Sequence, residues 1–374
     1  MRIADLATPA ALVELPALRA NIAAMAARAA ALGCRLRPHV KTHKCSDIAR
    51  LQVAAGATGV TVSTLAEARA MAGAGIEDMV YAVPVSPARA AEAAGLRGSG
   101  VKIQLLVDSR DAAYAVSRAA REAGLLMPTW LKVDCGAGRA GVDPEGREAL
   151  ELARLIAGLP GLHFAGILTH AGQAYRCTTR EAVVEAARRE RDVTVALAQR
   201  LRKAGLPAAV SIGSTPTLQA VDHLDGVDEV RPGNYVYFDA TQVALGSCTW
   251  RECAFTVLAT VIGRYPQRRR LLLDAGALAL SRDEGPRHIH PECGFGVLLD
   301  LVSGAPLPGL RIVSLTQEHA TVEVAEAAPD VPFTLGDRVR VVPNHSCLAA
   351  ACFDRVHAVE GDQVVAIWPT ARGW

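Results

Sequence analysis

The larger, N-terminal part of the chain alternates short apolar runs with longer, alanine-rich stretches of helical periodicity. The runs predict buried strands at Arg35–His39, Gly59–Ser63, Met79–Val83, Lys102–Val107, Trp130–Asp134, Phe164–Thr169, Ala209–Ile212 and Glu229–Arg231. The stretches between them predict helices, for example at Leu65–Ala74, Asp111–Ala123, Gly146–Ala157 and Arg180–Ala204. Strands that alternate with helices form a parallel sheet, and eight such strands is the number in a (β/α)8 TIM barrel. An open doubly wound sheet is the alternative, but it normally has fewer strands over this length.

The pattern changes after about residue 245, where short apolar runs follow one another without long helical stretches. These runs predict strands at Phe255–Gly263, Arg270–Asp274, Gly309–Leu315, Thr321–Val324, Arg338–Val342 and Gln363–Ile367. Strands joined by short connections are typical of an antiparallel β-domain. We therefore predict an α/β barrel over residues 13–245 and a C-terminal antiparallel β-domain over residues 246–374.

The composition narrows the class of protein. The chain has 374 residues, of which 51% are hydrophobic and 21% charged, so a packed core is expected and overall disorder is excluded. Lys and Arg number 40 against 38 Asp and Glu, and this balance gives no support for nucleic-acid binding. The nine cysteines are an odd number scattered through a long chain, which favours reduced thiols or a metal site over a disulfide framework.

The N-terminal segment does not resemble a signal peptide. Residues 1–32 are interrupted by Arg2, Asp5, Glu14 and Arg19 and lack a compact apolar centre. No window holds about 18 uncharged apolar residues, so a membrane-spanning helix is not expected. We expect a cytoplasmic protein without membrane partners.

Candidate chemistry is concentrated in the loops that follow the predicted barrel strands, the face on which barrel enzymes carry their active sites. Gly213-Ser214-Thr215 follows the seventh strand and Gly233-Asn234 follows the eighth. Each could be an ordinary turn, but together they occupy the two loops in which many barrels bind a phosphate group.

A basic cluster, Arg37, His39, Lys41, His43 and Lys44, follows the first strand. If the strand continues through it, Arg37, His39 and Lys41 share one side because strand side chains alternate. A lysine near a phosphate site supplies the nucleophilic amine that an aldehyde cofactor requires. The alternative is a solvated basic loop.

Arg139 lies in the glycine-rich loop after the fifth strand. It could face a ring nitrogen of the cofactor and keep that nitrogen unprotonated, because two cations repel each other. A phosphate contact or a salt bridge that braces the loop is an equally good interpretation.

His345 and Cys347 form the last candidate site. They are two residues apart, so in an extended segment both side chains point to one side. Imidazole and thiolate are good Zn²⁺ ligands, and two protein ligands leave positions open for water or substrate. The alternative is a buried core histidine and cysteine.

The segment from Arg37 to Lys44 resembles the cofactor-lysine segment of the D-serine dehydratase/D-threonine aldolase family. These are fold type III pyridoxal-phosphate enzymes related to bacterial alanine racemase. The resemblance extends along nearly the whole chain, at Thr8-Pro9, Asp134–Gly141, Gly213–Thr215, Gly233–Tyr235, Asp274–Gly276, Gln317–His319, Pro343–Cys347 and Ala371–Gly373.

The resemblance implies a function for each of these positions. Lys41 would be the catalytic residue that carries pyridoxal 5'-phosphate, and His345 and Cys347 would bind a divalent metal. Zinc suits the thiolate best, with manganese, cobalt and magnesium as alternatives. The N-terminal strand within residues 1–12 would join the β-domain, and two subunits would pair head to tail as a homodimer. The other implied cofactor contacts are His39, Arg139, Tyr175, Gly213, Ser214, Thr215, Gly233, Asn234 and Tyr235.

Within that family, two departures favour a dehydratase over an aldolase. The aldolases typically have His-x-Asp at the metal motif, whereas this chain has Cys347 in the third place. They also usually have a Gln-His pair after the sixth strand, where this chain has Gln173-Ala174-Tyr175. Ser281-Arg-Asp283 and Gly294-Phe-Gly296 look most like the D-threo-3-hydroxyaspartate dehydratase subgroup.

The predicted function is therefore dehydration of β-hydroxy-D-amino acids such as D-threo-3-hydroxyaspartate or D-serine to a 2-oxo acid and ammonia. Aldolase cleavage to glycine and an aldehyde is the main alternative, and a racemase or a non-catalytic pyridoxal-phosphate carrier are others. Arg176, Arg282 and Arg287 are candidates for binding a substrate β-carboxylate.

Overall fold

The computed structural model describes residues 1–301, 303–327, 331 and 333–374. The chain divides into two compact units. The barrel unit contains Ala24–Lys41, Ser46–Gly233 and Ala371–Trp374, and the β unit contains Met1–Ala23, Thr42–Cys45 and Asn234–Thr370. The first strand of the chain is β1 (Ala10–Glu14), and helix α1 (Leu15–Ala31) follows it.

The barrel unit alternates strands and helices. Its strands are β2 (Arg35–Leu36), β3 (Val60–Val62), β4 (Asp78–Pro84), β5 (Lys102–Val107), β6 (Met127–Lys132), β7 (Leu162–Leu168), β8 (Ala209–Ile212) and β9 (Glu229–Val230). The helices between them are α2 (Ser46–Ala54), α3 (Leu65–Gly73), α4 (Pro87–Gly98), α5 (Arg110–Glu122), α6 (Arg147–Gly158), α7 (Arg180–Lys203) and α8 (Thr215–Ala220).

These strands form a parallel sheet in the order β2-β9-β8-β7-β6-β5-β4-β3 within the described residues. The two ends of the sheet meet, because His39 forms a parallel bridge with Thr61 and the Thr61 N–H donates to Pro38 O at 2.8 Å. Val80, Leu106, Trp130 and Leu168 from neighbouring strands pack together as part of the core. The predicted (β/α)8 barrel is confirmed.

Side-chain caps fix where the barrel helices begin. Thr64 Oγ1 accepts a hydrogen bond from Glu67 N at 3.0 Å and so caps α3. The Glu67 carboxylate accepts from Ser63 N at 2.6 Å, one residue before the cap. The two hydrogen bonds satisfy backbone donors at the start of the helix and hold Ser63 in place at the end of β3.

The β unit contains the remaining strands. They are β10 (Phe255–Tyr265), β11 (Arg270–Leu273), β12 (Val297–Leu299), β13 (Leu310–Leu315), β14 (Ala320–Val324), β15 (Arg338–Val342), β16 (Arg355–Glu360) and β17 (Gln363–Pro369). Its α-helices are α9 (Ala240–Ala244), α10 (Ala277–Leu280) and α11 (Ser346–Ala350). Across both units, 3-10 turns lie at Ile3–Asp5, Val40–Thr42, Gly172–Arg176, Asn234–Val236, Trp250–Glu252, Pro266–Arg268 and Gly285–His288.

The sheet of the β unit is mostly antiparallel, in the order β13-β14-β11-β10-β1-β16-β17, with β15 pairing to β10 and β12. Strand β1 runs antiparallel to β10 and parallel to β16. The sequence pattern did not predict β12 and β16. β12 has three residues, and charged or polar Arg355, His357 and Glu360 interrupt the apolar pattern of β16.

None of the nine cysteines, all of which lie in the described ranges, forms a disulfide. In the same ranges, no helix combines the length and the apolar character needed to cross a membrane.

Candidate active site

A cavity of about 380 Å³ lies at the carboxyl ends of the barrel strands. It brings together four residues that the sequence predicted, His39, Lys41, Arg139 and Gly213. Its volume falls in the range of small-molecule sites, and its position is the one at which barrels carry their active sites. The wall also contains Ser63, Ala82, Val83, Pro84, Lys132, Ala140, Leu168, His170 and Arg231.

Three charged or titratable residues of the cavity wall were not predicted from the sequence. Lys132 lies inside a predicted apolar strand. A charged residue in such a strand is unusual, and this could have identified Lys132 as a candidate site residue. His170 and Arg231 lie at the ends of the sixth and eighth strands of the barrel, where functional side chains are expected. Their positions were therefore readable from the sequence, but their convergence on one cavity was not.

The cavity wall is strongly cationic. Lys41, Lys132, Arg139 and Arg231 line it, and no Asp or Glu is among its lining residues in the described ranges. Burial and the charge of Arg231 lower the pKa of Lys132 to about 8. Burial also lowers the pKa of Arg231 to about 10, although Glu229 and Glu190 oppose this effect. An anionic ligand in the cavity would relieve the repulsion among these groups.

Lys41 does not extend the first strand. β2 ends at Leu36, and Lys41 lies in the 3-10 turn Val40–Thr42. The expectation that Arg37, His39 and Lys41 share one side of a continuous strand is therefore wrong. Arg37 is buried, and its guanidinium donates to Glu229 Oε2 at 2.7 Å and to Asp78 Oδ1 at 2.8 Å. His39 and Lys41 follow the end of β2, so the alternation of strand side chains does not apply to them. Both nevertheless line the cavity.

The predicted phosphate loop, Gly213–Thr215, is stabilised by hydrogen bonds to Glu190, a buried residue of α7. Glu190 Oε1 accepts hydrogen bonds from Gly213 N at 3.1 Å and from Ala171 N at 2.9 Å. Its other oxygen accepts from Thr217 Oγ1 at 2.8 Å. One carboxylate thus ties together the loops after β7 and β8. Burial raises its pKa, although these hydrogen bonds act in the opposite direction.

His170 contacts the same loop. Its Nδ1 lies 2.6 Å from Gly213 O, so a neutral ring would donate this proton and keep Nε2 as an acceptor. Burial, followed by the charge of Lys41, holds the pKa of His170 well below its ordinary value. The imidazole is therefore neutral near pH 7. Ser214 Oγ caps α8 by accepting from Thr217 N at 3.4 Å, and Thr215 is buried in the first turn.

The remaining predicted cofactor residues lie elsewhere. Tyr175 is half-buried in the 3-10 turn Gly172–Arg176 and is not among the residues that line the cavity. Gly233 ends the main segment of the barrel unit, whereas Asn234 and Tyr235 are buried at the start of the next segment of the β unit. Asn234 Nδ2 donates to Asp239 Oδ2 at 2.6 Å and to Ser346 Oγ at 3.1 Å.

The predicted metal ligands lie together in the β unit. His345 precedes α11 and Cys347 lies in its first turn, so the expectation of an extended segment is wrong. Their side chains are nevertheless in hydrogen-bond contact. Cys347 Sγ also lies 3.2 Å from Thr42 Oγ1, and His345 Nδ1 lies 3.1 Å from Asp283 Oδ2.

The electrostatics of this pair favour a thiolate. Burial alone would raise the pKa of Cys347, but the His345 imidazole and hydrogen bonds from His345 and Thr42 lower it overall. Burial would lower the pKa of His345, yet the Cys347 thiolate and the Asp283 carboxylate raise it. Hydrogen bonding from His345 also lowers the pKa of Asp283. A thiolate beside an imidazole is a donor set that fits a soft divalent metal.

Within the described ranges, no group of three or more His, Cys, Asp and Glu side chains could hold a metal ion. His345 and Cys347 are thus two candidate ligands, and a metal held by them would keep coordination positions open.

Comparison with known proteins gives the family. The alanine racemase N-terminal domain family matches residues 13–241, and a serine dehydratase domain family matches residues 254–359. D-threo-3-hydroxyaspartate dehydratase from Delftia sp. is 41% identical to the chain over 98% of both proteins. The chain belongs to the D-serine dehydratase/D-threonine aldolase family. The dehydratases and aldolases of this family are lyases, and so is this chain.

Other relatives span both branches of the family. D-serine dehydratase from Dictyostelium discoideum is 33% identical, covering 100% of this chain and 98% of its own. D-threonine aldolase from Arthrobacter sp. is 32% identical, covering 100% of this chain and 94% of its own. The solved structure of the Delftia dehydratase has a TM-score of 0.95 over 100% of both chains. A Cys→Ala variant of a D-threo-3-hydroxyaspartate dehydratase, 40% identical to this chain, has been solved in a metal-free form.

Proposed function

We propose that this chain is a pyridoxal-phosphate- and divalent-metal-dependent dehydratase of β-hydroxy-D-amino acids. It would convert D-threo-3-hydroxyaspartate or D-serine to a 2-oxo acid and ammonia. The observation that carries this proposal is the cationic cavity in which Lys41 lies with His39, Arg139 and Gly213. Relatives named as dehydratases of such substrates, 41% and 33% identical, support the same reaction class.

The cavity fits the cofactor that the family implies. Pyridoxal phosphate is an anionic aldehyde, and the wall offers a lysine amine together with an excess of positive charge. Lys41 would bind the aldehyde carbon, Arg139 would face the ring nitrogen, and His39 and Tyr175 would add further contacts. The phosphate would be held by Gly213, Ser214, Thr215, Gly233, Asn234 and Tyr235.

The donor set of the β unit fits the implied metal. The His345 imidazole lowers the pKa of Cys347 and so favours its thiolate, the ligand form that soft divalent ions select. We propose that these two residues bind the ion and that zinc is the physiological metal. The metal-free form of a Cys→Ala variant of a D-threo-3-hydroxyaspartate dehydratase supports a metal dependence of the reaction.

The chain's own residues then carry the proton transfers. Pyridoxal phosphate supplies an electron sink that acidifies the substrate Cα–H bond. With the cofactor bound, the Lys41 amine would be the base that accepts the substrate Cα proton at Nζ. A divalent ion held by His345 and Cys347 would supply Lewis acidity that favours loss of the β-hydroxyl, which takes up one proton and leaves as water. Neutral His170 cannot repel the Lys41 ammonium, so the two groups can coexist in one wall.

The first prediction concerns reaction products. Purified enzyme is incubated with D-serine, D-threonine or D-threo-3-hydroxyaspartate, and pyruvate, 2-oxobutyrate, oxaloacetate, ammonia and glycine are quantified. We expect the matching 2-oxo acid and an equal amount of ammonia, because elimination removes the β-hydroxyl and hydrolysis then releases the amine. The similarity to D-threonine aldolase makes retro-aldol cleavage the competing reaction. Glycine and an aldehyde as dominant products would contradict the dehydratase proposal.

The second prediction separates the roles of the two sites. Lys41→Ala should abolish both the absorbance of the lysine-linked cofactor and the activity. Cys347→Ala should retain that absorbance but lose elimination, because only the metal site is damaged. The matched controls are Lys102→Ala, an exposed lysine, and Cys352→Ala, a half-buried cysteine near Cys347. Full activity of Cys347→Ala after chelation would show that the metal role is wrong.

We further propose that residues 13–245 act as the cofactor-binding domain and that residues 246–374 with 1–12 act as the metal-carrying domain. The enzyme would be a cytoplasmic homodimer with a small D-amino acid as substrate. Sedimentation equilibrium with and without cofactor would test the oligomeric state, since a monomer at micromolar concentration would contradict the proposed dimer.

A further inference from the structure

A loop of the β unit, Ser281–Gly296, is fastened to the segment that carries the metal-ligand candidates. Asn344, only 2% exposed, precedes His345 and donates from Nδ2 to Asp283 O at 3.0 Å and to Gly294 O at 2.9 Å. Gly285 has φ +54°, and a Cβ there would lie 2.5 Å from Asn344 Cβ. The loop therefore approaches Asn344 as closely as the backbone allows.

The Asp283 side chain is oriented from both of its oxygens. Oδ1 accepts a hydrogen bond from Gly285 N at 2.7 Å, which closes a tight turn within the loop. Oδ2 lies 3.1 Å from His345 Nδ1. The neighbouring carboxylate, Glu284, points elsewhere and pairs with Arg287 at 2.7 Å. Asp283 is thus the carboxylate of this loop that reaches the imidazole.

The contact has a defined consequence for the imidazole. A carboxylate at Nδ1 accepts a hydrogen bond from the Nδ1–H group, so this tautomer is favoured and the lone pair is left on Nε2. Cys347 is in contact with the His345 side chain while Asp283 occupies Nδ1. A carboxylate that holds the far nitrogen of a metal-binding histidine fixes the ring and raises the basicity of the ligand nitrogen.

We propose that Asp283 is a positioning residue that sets His345 in the Nε2-ligating tautomer and ring orientation required for metal binding. This inference rests on the proposed metal site. It also gives a physical role to Ser281-Arg-Asp283 and Gly294-Phe-Gly296, two segments that the sequence analysis singled out without a function. They form the two ends of the loop that Asn344 fastens and from which Asp283 reaches His345.

The test measures metal affinity directly. Metal-depleted holoenzyme with its pyridoxal phosphate is titrated with Zn²⁺ against a chromogenic chelator, and with Co²⁺ while the thiolate-to-cobalt absorption is recorded. We expect Asp283→Ala to weaken Zn²⁺ binding roughly 10- to 100-fold, the usual effect of removing such a partner. Asp283→Asn keeps the size of the side chain but loses the charge, and should weaken binding about tenfold with unchanged thermal unfolding. Glu284→Ala, in the same loop, is the matched control and should bind as the wild type does.

The outcomes separate this inference from the proposed function. If His345→Ala loses affinity but Asp283→Asn and Asp283→Ala bind Zn²⁺ like the wild type, the positioning role is overturned and the metal site stands. If the wild type binds neither ion, or if His345→Ala binds as tightly as the wild type, both are overturned. Should Asp283→Ala fail to fold, the isosteric Asp283→Asn decides the question, because equal affinity in that variant overturns the role.

Discussion

Lys132 shows how strongly the cavity perturbs a single residue. Its side chain is 5% exposed, and burial together with Arg231 lowers its pKa to about 8 from the ordinary 10.5. This difference corresponds to about 3 kcal/mol. Below pH 8 the amine is charged in both the folded and the unfolded chain, so the folded state bears the full cost of the buried charge. Between pH 8 and 10.5 the folded chain loses its proton first, and the cost disappears.

The third prediction follows from the lowered pKa of Lys132, which destabilises the folded chain while the amine is charged. Lys132→Met should be more stable than the wild type by up to about 3 kcal/mol at pH 7, because an apolar side chain removes the buried charge. The advantage should shrink steadily towards pH 10.5. Urea unfolding of the cofactor-free proteins at pH 7, 8, 9 and 10 measures it. Lys102→Met, at an exposed lysine, is the control, and a stability difference for Lys132→Met that does not change with pH would contradict the prediction.

Strands β7 and β8 determine where two sides of the cavity lie. The Gly166–Ala209 pair of these strands allows an unusually close approach, since a Cβ on Gly166 would lie 2.6 Å from Ala209 N and would also clash with Ala209 O. Gly166 also has φ +143°, a conformation that side chains disfavour. The loops after these strands carry His170 and Gly213. The buried Glu190 links the two loops by accepting hydrogen bonds from Ala171 N and Gly213 N.

The fourth prediction is therefore that Gly166→Ala destabilises the barrel by about 3 kcal/mol, because the strands must separate to accept a methyl group. The displaced loops should also lower the affinity for pyridoxal phosphate, measured by fluorescence titration. Gly158→Ala is the control, as that glycine lies at the exposed end of α6 with nothing within 4 Å of the added atom. We expect it to change stability by less than about 0.5 kcal/mol. Equal stability of the two variants would show that the close approach is not required.

The first strand of the chain, β1, is paired with strands from the C-terminal part of the chain. β1 lies between β10 and β16 and pairs with both, and Leu12 on it is completely buried beside Leu258 and Val359. The sheet of the β unit therefore combines a strand from the start of the chain with strands from its end. Arg340 of β15 reinforces this arrangement by donating to Glu14 at the end of β1.

The fifth prediction is that Leu12→Asp prevents stable folding of the β unit. A charge at a fully buried position without a partner costs about 4 kcal/mol or more, and the loss falls on the strand that joins β10 to β16. Leu278→Asp is the matched control, because Leu278 is 57% exposed on α10. Soluble yield and thermal unfolding compare the two. A Leu12→Asp protein as stable as its control would contradict the central position of β1.

Most of the secondary-structure elements, and the residue types available for chemistry, could be predicted from the sequence alone. Each of the eight barrel strands was predicted because apolar periodicity and turn residues act over a few neighbouring positions. The segment around Lys41 and the pair His345 and Cys347 could likewise be identified from residue types and spacing. β12 and β16 were missed because one is very short and the other carries polar residues along an apolar pattern.

Which residues lie together in space could not be predicted from the sequence, because it depends on the packing of the folded chain. Arg37 is not part of the predicted basic face. It is buried in the barrel unit, where it forms ion pairs with Glu229 and Asp78, which are remote in sequence. The pairing of successive strands places three residues in one cavity wall, namely Lys132, His170 and Arg231. Asp283 contacts His345 although the two are 62 positions apart in the chain. Local pattern carries no information about such encounters, because they arise from the register of strands and the close packing of loops. Periodicity is a property of neighbours in sequence, whereas pKa values and hydrogen bonds depend on neighbours in space.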